Sequence, residues 1–285
     1  MIKETDSNNR LIDFIEIIFI GMELFKRRRF RYLLCFNFNP LALFMKYAVL
    51  GDIHANLEAF DAVLEDARKA GATHYANTGD IVGYNADPRA CLQKLKTMQF
   101  ASVQGNHDYY AAYHDSIDSF NPAARHSISW TRKHLGIFDR KYLRQLPLIL
   151  DVENFTLVHS SLKMPNLWNY MHKKRDAQGH FLNQFNPVCF LGHTHVPSVF
   201  IFDHGQIEHY RFDVLPLQKG LKYLINVGSV GQPRDRDPRA CYVLYDLDNQ
   251  TIELRRVAYD VETTQKKIRA AGLPFRNALR LKTGH

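Results

Sequence analysis

Apolar runs alternate with amphipathic helical patterns in the first part of the chain that follows residue 45. Each run is short enough for a strand, and the residues between runs repeat at helical spacing. Asn56 is typical of a helix N-cap and Gly71 of a helix end. The pattern therefore predicts parallel strands joined by helices. The first predicted strand ends at residue 50, further strands are predicted over 73–77 and 100–104, and the predicted helices are 57–67 and 88–98.

The later part of the chain has a different pattern, with strand-like runs separated by short turns. Glu153-Asn154 and Asp203-His204-Gly205 are typical of hairpin turns. Antiparallel strands after parallel ones predict a fold of mixed α/β and α+β class, with βα units in the early part of the chain and antiparallel pairs in the later part. The predicted strands are 148–152, 155–159, 188–191, 199–202, 206–212, 223–227, 240–245 and 251–258, and further helices are predicted over 121–135, 139–145 and 261–271. We expect a loop with a short helix over 165–184, and a frayed tail after 271.

Five of the apolar runs end in a residue that can bind a metal. Asp52 and His54 alternate by two, so in extended geometry they would point the same way. Oxygen and nitrogen donors together suit a borderline divalent cation, and ligands usually gather at the carboxyl ends of strands in α/β sheets. The candidates, most of them beside a glycine, are Asp52, His54, Asp80, Asn106, His159, His193 and His195.

The order of these motifs resembles that of the calcineurin-like metallophosphoesterases. The motifs are Asp52-x-His54, Gly79-Asp80, Gly105-Asn106-His107-Asp108, His159 and Gly192-His193-Thr194-His195. The resemblance runs from about residue 46 to about residue 257. The runs 79–84 and 226–234 are similar to those of the small prokaryotic members. The resemblance implies a two-sheet β-sandwich flanked by helices, and a phosphodiesterase or phosphatase.

The resemblance also implies two bound divalent metal ions. In the family's pattern Asp52, His54, Asp80 and His195 would hold the first, and Asp80, Asn106, His159 and His193 the second. Asp80 would bridge both through its two oxygens. Histidine ligands favour Mn²⁺, with Fe, Ni²⁺, Co²⁺ and Zn²⁺ as alternatives. Such a pair activates water and stabilises both oxygens of an in-line displacement.

Other residues are expected to act on the substrate. By resemblance, His107 would be the acid and Asp108 would orient it. Tyr84 and Asn85 are predicted to line the pocket. Arg234 is predicted to clamp phosphate, as are Arg236 and Arg239. The 228–231 loop would either offer backbone N–H groups to phosphate or form a plain tight turn.

Composition and charge narrow the functional classes only slightly. The net charge of +8 favours anionic ligands without choosing among them. The four cysteines form no Cys-x-x-Cys motif, which predicts buried thiols in a reducing cytoplasm. The expected activity is hydrolysis of a phosphomonoester or phosphodiester, with a small nucleotide-type substrate favoured. The alternatives are a non-catalytic protein-binding scaffold of the same fold and a nuclease or nucleic-acid binder.

Residues 1–44 carry none of the motifs found in the rest of the chain. Met45-Lys46 is itself typical of a protein start, and the resemblance to the family begins there. We expect a mis-assigned start, a disordered leader or an amphipathic helix over 1–44, followed by one phosphoesterase domain over 45–285. The segment 11–31 combines an apolar stretch with a basic cluster, which predicts weak contact with a membrane surface. Acidic residues interrupt the apolar stretch, so no transmembrane span is expected.

Overall fold

Two six-stranded sheets pack face to face in the computed structural model, which describes residues 45–285. The strands are β1 (Lys46–Leu50), β2 (His74–Asn77), β3 (Ala101–Ser102), β4 (Ile149–Val152), β5 (Phe155–Val158), β6 (Val188–Leu191), β7 (Ser198–Asp203), β8 (Gln206–Tyr210), β9 (Val214–Pro216), β10 (Lys222–Asn226), β11 (Ala240–Asp246) and β12 (Thr251–Val257). The α-helices of this part are α1 (Leu57–Lys69), α2 (Pro88–Thr97), α3 (Asn106–Ala112), α4 (Pro122–His134), α5 (Ile137–Gln145), α6 (Lys174–Phe181), α7 (Val261–Ala270) and α8 (Phe275–Arg280). A 3₁₀ turn spans Pro165–Leu167.

Both sheets are mixed. The first has the order β3-β2-β1-β11-β12-β9, with β1, β2 and β3 parallel. The second has the order β4-β5-β6-β10-β7-β8, with β5, β6 and β10 parallel. The carboxyl ends of parallel strands meet at one edge of a sheet, so each sheet gathers the residues that follow these strands.

The sheets enclose an apolar core, and helices cover their outer faces. Tyr47, Phe155, Phe190 and Tyr245 belong to the cluster between the sheets. Phe60 and other residues of α1 and α2 pack on the outside of the first sheet with strand residues. A further cluster joins α6 to the second sheet. The expected two-sheet sandwich flanked by helices is confirmed.

Some elements differ from the sequence-based expectation. The third strand, expected over 100–104, is only two residues long. The short edge strand β9 was not predicted. The tail after 271 contains the helix α8, whose Ala278 packs with Leu273 and Leu281 in a small apolar cluster. Burial of these side chains holds the segment that was expected to fray.

Residues 45–285 form one compact unit. The predicted leader 1–44 and its segment 11–31 lie outside the described residues. Cys91, Cys189 and Cys241 are buried free thiols, as expected, while Cys35 is not described. None of the helices within 45–285 has the length and apolar character required to cross a bilayer.

Candidate metal centre

Seven buried side chains converge where the parallel strands of both sheets end. Each comes from a loop that directly follows a strand, or from the first turn of the helix beyond it. Asp52 and His54 follow β1, Asp80 follows β2, Asn106 follows β3, His159 follows β5, and His193 and His195 follow β6. Residues far apart in the sequence therefore meet because both sheets present their carboxyl ends on the same side.

The first group of candidate ligands consists of Asp52, His54 and His195. The Oδ1 atom of Asp52 lies 3.0 Å from Nε2 of His195 and 3.6 Å from Nε2 of His54. The two Nε2 atoms are 3.1 Å apart. All three ligand atoms lie within 4.8 Å of one another, which is the spacing of groups that can hold one cation.

The chemistry of this group fits a cation. The Nδ1 atom of His54 donates to Val82 O at 3.0 Å, and Nδ1 of His195 donates to Gln232 O at 2.6 Å. Each carbonyl fixes the proton on Nδ1, so both Nε2 atoms present lone pairs. Two lone pairs facing each other at 3.1 Å repel unless a cation lies beside them. The Oδ1 atom of Asp52, which has no hydrogen-bond partner, faces the same place.

The second group of candidate ligands is formed by Asn106, His159 and His193. The Nε2 atom of His159 lies 3.1 Å from both Oδ1 of Asn106 and Nδ1 of His193. Backbone carbonyls hold the far nitrogens, because His159 Nδ1 donates to Thr78 O at 2.9 Å and His193 Nε2 donates to Trp168 O at 2.8 Å. One ring nitrogen of each histidine is thereby turned toward the centre.

Asp80 lies between the two groups. Its Oδ2 atom is 3.6 Å from Nε2 of His54 and 3.4 Å from Nε2 of His159. Its Oδ1 atom accepts from the backbone N–H of His107 at 2.8 Å. The expected bridge through two oxygens is therefore not what the geometry favours, because one oxygen faces both groups and the other is occupied.

Asp52 is held in the same way as Asp80. Its Oδ2 atom accepts from the backbone N–H of His193 at 2.9 Å, which leaves Oδ1 for the centre. The adjoining glycines permit this packing, because a Cβ on Gly192 would lie 2.2 Å from Asp52 Oδ2 and one on Gly105 would lie 2.1 Å from Asp80 Oδ1. Any larger residue at either glycine would displace a carboxylate.

The backbone at the ligands is not extended. Strand β1 ends at Leu50, and the φ angles of Asp52 and His54 are 51° and 47°. The expectation that extended alternation aligns these two side chains is wrong, although the side chains do meet. Asp80, His193 and His195 also have left-handed φ angles of 55°, 67° and 60°. Backbone strain of this kind is typical of functional sites.

Two opposing effects set the pKa values of the groups in the centre: burial disfavours their charged forms, and neighbouring groups of opposite charge favour them. Burial alone would raise the pKa of Asp52, but His195 and His54 hold it well below its usual value. Burial lowers the pKa of His193 to about 3, and burial with Arg234 lowers that of His195 to about 4. Burial also opposes a charge on His159, but Asp80 raises its pKa to about 9. A cation site requires ionised carboxylates and neutral histidines, and a bound cation would replace the positive charge that Asp80 otherwise favours on His159.

His107 lies beside the centre, only 3% exposed. Its ring packs 4.4 Å from that of Tyr84 and 6.0 Å from that of Phe120. Its Nδ1 atom has no hydrogen-bond partner, and burial lowers its pKa well below the usual value. His107 also lies close enough to His54 and Asp80 to form a third group with metal-binding spacing. Its expected role as an acid rather than a ligand stays a prediction.

The expected contact between Asp108 and the His107 ring is not formed, so this prediction is corrected. Asp108 Oδ1 accepts from the N–H groups of Ile81 and Val82 at 2.9 and 3.1 Å, and Oδ2 accepts from Gly105 N–H at 3.1 Å. Burial, with Asp80 nearby, raises the pKa of Asp108 to about 7. Asp108 thus holds the backbone on both sides of the centre.

Two of the three expected substrate-binding residues, Tyr84 and Arg234, lie beside the centre. The ring of Tyr84 packs 4.7 Å from that of His54, and the Arg234 guanidinium lies 5.6 Å from the Tyr84 ring. Asn85 is fully buried, and its Nδ2 donates to His54 O at 2.8 Å. The prediction that Asn85 lines a pocket is therefore wrong, since its amide supports the ligand backbone instead.

The other phosphate-binding candidates gain no support from the geometry. Arg239 forms an ion pair with Asp237 at 2.6 Å, and Arg236 is exposed. In the 228–231 loop, the N–H groups of Val230 and Gly231 donate to Gly51 O and Asp52 O at 3.0 and 2.9 Å. The loop is thus a tight turn that supports the backbone of residues 51 and 52, next to the candidate ligand Asp52.

Sequence reasoning missed the support that the 165–172 loop gives to His193. Besides the hydrogen bond to Trp168 O, the His193 ring stacks on that of Tyr170 at 4.1 Å. The Trp168 ring also packs edge-on to His159 at 5.9 Å. The only signal in the sequence was that Trp168 and Tyr170 are aromatic residues in the polar segment 165–184, which was expected to be a loop with a short helix.

The sequence profile of the calcineurin-like phosphoesterase superfamily domain matches residues 45–250, which is most of the chain. The chain belongs to this superfamily. Its core motifs all lie within the matched residues, and so do the seven candidate ligands. Superfamily membership implies divalent metal ions, and the clustered histidine and aspartate side chains fit them.

Three individual proteins are similar to this chain in sequence or in fold. The chain is 38% identical over 232 residues to MJ0912 of Methanocaldococcus jannaschii, described as an uncharacterized protein, covering 80% of this chain and 93% of that protein. It is 38% identical to a metallophosphoesterase from Sphaerobacter thermophilus, covering 85% and 100% of the chains with a TM-score of 0.76. Hypothetical protein PH1004 from Pyrococcus horikoshii shares the fold at 20% identity, covering 85% and 99% with a TM-score of 0.69.

Proposed function

We propose that this phosphoesterase hydrolyses small phosphomonoesters or phosphodiesters at a centre that binds two divalent metal ions. The observation that carries the proposal is the position of Asp80 Oδ2, which faces His54 on one side and His159 on the other. One negative oxygen between two groups of buried donors fits two cations better than one. Asp52, His54, Asp80 and His195 would hold the first ion, and Asp80, Asn106, His159 and His193 the second.

The donors favour a metal that accepts both nitrogen and oxygen. Four of the seven ligands are histidines, which disfavours Mg²⁺ and Ca²⁺ and suits Mn²⁺, with Fe, Co²⁺, Ni²⁺ and Zn²⁺ as alternatives. When bound, such ions lower the pKa of water and neutralise charge on a phosphoryl group. Asn106 contributes a neutral oxygen, so the ligands leave the centre positive enough to attract phosphate.

The residues around the centre would bind and orient the substrate. Because burial keeps His107 neutral, its imidazole carries one N–H that can donate to a phosphate oxygen or to the leaving oxygen. The Arg234 guanidinium, placed over Tyr84, supplies a positive charge beside His107. A guanidinium beside the centre suits a phosphorylated substrate, and we favour a small molecule, of which nucleotides are one class. The three buried free thiols support the proposal of a cytoplasmic enzyme.

The test is hydrolysis of p-nitrophenyl phosphate and bis-p-nitrophenyl phosphate by metal-stripped protein, with and without added Mn²⁺. We expect turnover that depends on the metal, and the ratio of the two rates assigns monoester or diester preference. Asp80→Asn is the matched variant, because it keeps the side-chain shape and removes the negative charge. Two bound metals per chain without turnover of either compound, or of a phosphoester panel, would contradict the proposal. Absence of both metal and turnover would favour a protein-binding scaffold.

A further inference from the structure

Aromatic side chains from two separate segments flank the second group of candidate ligands. Trp168, in the 165–172 loop, makes a T-shaped contact with the ring of His159, and the ring centroids are 5.9 Å apart. Tyr109 lies in α3, three residues after the candidate ligand Asn106. The ring centroids of Tyr109 and Trp168 are 6.3 Å apart, so the two segments meet beside this group.

Other contacts restrain both aromatic residues. The hydroxyl of Tyr109 donates to Asp115 Oδ2 at 2.6 Å, and its ring packs 4.6 Å from that of Tyr113. Trp168 has a left-handed φ of 53°, and its carbonyl accepts from Nε2 of His193 at 2.8 Å. A left-handed backbone is uncommon for a bulky residue and persists only where other contacts impose it. The backbone that carries the indole is therefore fixed before a ligand binds.

The indole of Trp168 keeps an open face. In the described part of the chain, its ring contacts are with His159 and Tyr109, whose planes are tilted from its own by 68° and 51°. Neither ring lies parallel on the indole, and the side chain is only partly buried. By contrast, Tyr170 in the same loop stacks on His193 with planes 20° apart. A partly exposed aromatic face beside a site can stack on a planar group of a ligand.

The two sides of the centre differ in chemistry. The first group of candidate ligands has a positive charge nearby, because the Arg234 guanidinium lies over the ring of Tyr84, which packs on His54. The second group has the indole of Trp168 and the phenol of Tyr109 beside it. A phosphate bound between the two groups would therefore have a cationic neighbour on one side and aromatic neighbours on the other.

We propose that Trp168 is a specificity-determining residue, whose indole stacks on an aromatic ring of the substrate. Tyr109 limits the position of that ring from the side. This inference rests on the proposed function and narrows it. The substrate is a phosphoester in which a short linker joins the phosphate to an aromatic ring, as ribose joins the phosphate of a nucleotide to its base. Phosphate esters of aliphatic alcohols bind less tightly.

The first experiment compares phosphonates, which are not hydrolysed, as ligands of the manganese-loaded protein by calorimetric titration at constant free Mn²⁺. The ligands are benzylphosphonate, cyclohexylmethylphosphonate and methylphosphonate. The two larger ligands have the same carbon skeleton, so a difference between them reports stacking rather than burial of apolar surface. The wild-type chain should bind benzylphosphonate about fivefold or more tightly than cyclohexylmethylphosphonate. Trp168→Leu should remove this preference and leave methylphosphonate binding nearly unchanged, and Trp168→Phe should keep part of the preference.

The matched control is Trp130→Leu, because Trp130 lies in α4 and is the other tryptophan of the chain. This variant should keep the preference. Circular dichroism shows whether each variant folds, and elemental analysis shows whether it keeps its metals. Equal affinity of the wild-type chain for the two larger phosphonates would overturn the inference. An equal loss for all three ligands in a folded, metal-loaded Trp168→Leu variant would also overturn it.

A second measurement requires no change at residue 168. In a Trp130→Phe variant, Trp168 is the only tryptophan, so tryptophan fluorescence reports on its indole alone. Adenosine monophosphate should quench this fluorescence at saturation, because its base stacks on the indole. Ribose 5-phosphate, which has the same phosphate and sugar without the base, should leave the fluorescence nearly unchanged. Equal effects of the two compounds would contradict stacking on Trp168.

Turnover of p-nitrophenyl phosphate, measured in parallel on the wild-type chain, keeps the two proposals separate. Turnover without the preference for the aromatic phosphonate contradicts only the role of Trp168. The preference without turnover contradicts only hydrolysis.

Discussion

Gly83 and His107 are so close that no side chain fits between them. A Cβ on Gly83 would lie 2.5 Å from Nδ1 of His107, and Gly83 has a φ of 96°. Gly83→Ala should therefore push the His107 ring away from its place beside the centre. We expect turnover of p-nitrophenyl phosphate to fall by about tenfold to a hundredfold, because small displacements of a reacting group are costly.

The control for Gly83→Ala is Gly205→Ala. Gly205 has a nearly equal φ of 92° in the β7–β8 turn, but nothing lies within 4 Å of its Cβ position. Both variants should lose about 1 kcal/mol of unfolding free energy from the left-handed backbone. Only Gly83→Ala should lose activity, and equal activity in the two variants would contradict the proposed importance of the His107 position.

Removal of the His107 side chain separates its two possible roles. If His107 is an acid, His107→Ala should lose about 10²–10⁴ in turnover and keep both metals, since general acids contribute rate enhancements of that size. Elemental analysis of the purified variant measures the metals. His126→Ala, at an exposed position of α4, is the control. Loss of metal would identify His107 as a ligand, and full activity would exclude both roles.

The position of Asp80 predicts a difference between two aspartate variants. Asp80→Asn should reduce binding of both metals, because Oδ2 faces both groups of ligands. Asp52→Asn should affect mainly the first, since Asp52 Oδ1 faces His195 and His54. The measurement is a calorimetric titration of metal-stripped protein with Mn²⁺. A loss of about one site in both variants would contradict a shared Asp80.

Stability should depend on pH through His180, which lies in α6 away from the metal centre. Burial lowers its pKa to about 3, against about 6.5 in an unfolded chain. Between these values the unfolded chain binds a proton that the folded chain does not. The unfolding free energy should therefore fall as the pH drops from about 6.5 toward 3, by up to about 1.4 kcal/mol per unit from this residue.

The measurement is urea unfolding of metal-stripped wild type and His180→Asn at pH 7.5, 6.0 and 5.0. Asparagine retains an acceptor for the N–H of Leu162, which now donates to His180 Nδ1 at 3.2 Å. The variant should be less stable at pH 7.5, and the difference should shrink at lower pH. His204→Asn, at a site whose side chain is 97% exposed, should follow the wild type. A difference that stays constant with pH would refute the prediction.

The apolar pattern was sufficient for most of the fold because burial dictates it. Strands β5 and β6 are fully buried, and their predicted bounds 155–159 and 188–191 agree with Phe155–Val158 and Val188–Leu191. Strand β9 has only three residues and ends in Pro216, so it carries too little pattern to be recognised. Helix α8 was missed because its burial depends on contacts with distant residues such as Tyr84.

The candidate ligands could be named from the sequence, but their geometry could not. Motif order identifies Asp52 and His54, whereas the left-handed backbone that brings them together arises from contacts with other loops. For Asp108 the motif suggested a partner one residue away, yet its carboxylate binds backbone N–H groups instead. Hydrogen bonds to main-chain groups have no residue-type signature, so sequence spacing cannot assign them.

The bond from His193 N–H to Asp52 Oδ2 crosses from the second sheet to the first, as does the bond from His159 Nδ1 to Thr78 O. The candidate metal ligands therefore also connect the two sheets at one end of the sandwich. Any change in the spacing of the sheets, for example from a smaller residue at Phe190 in the core between them, would alter the distances between ligands. We therefore expect metal affinity in this chain to fall when packing between the two sheets is disturbed.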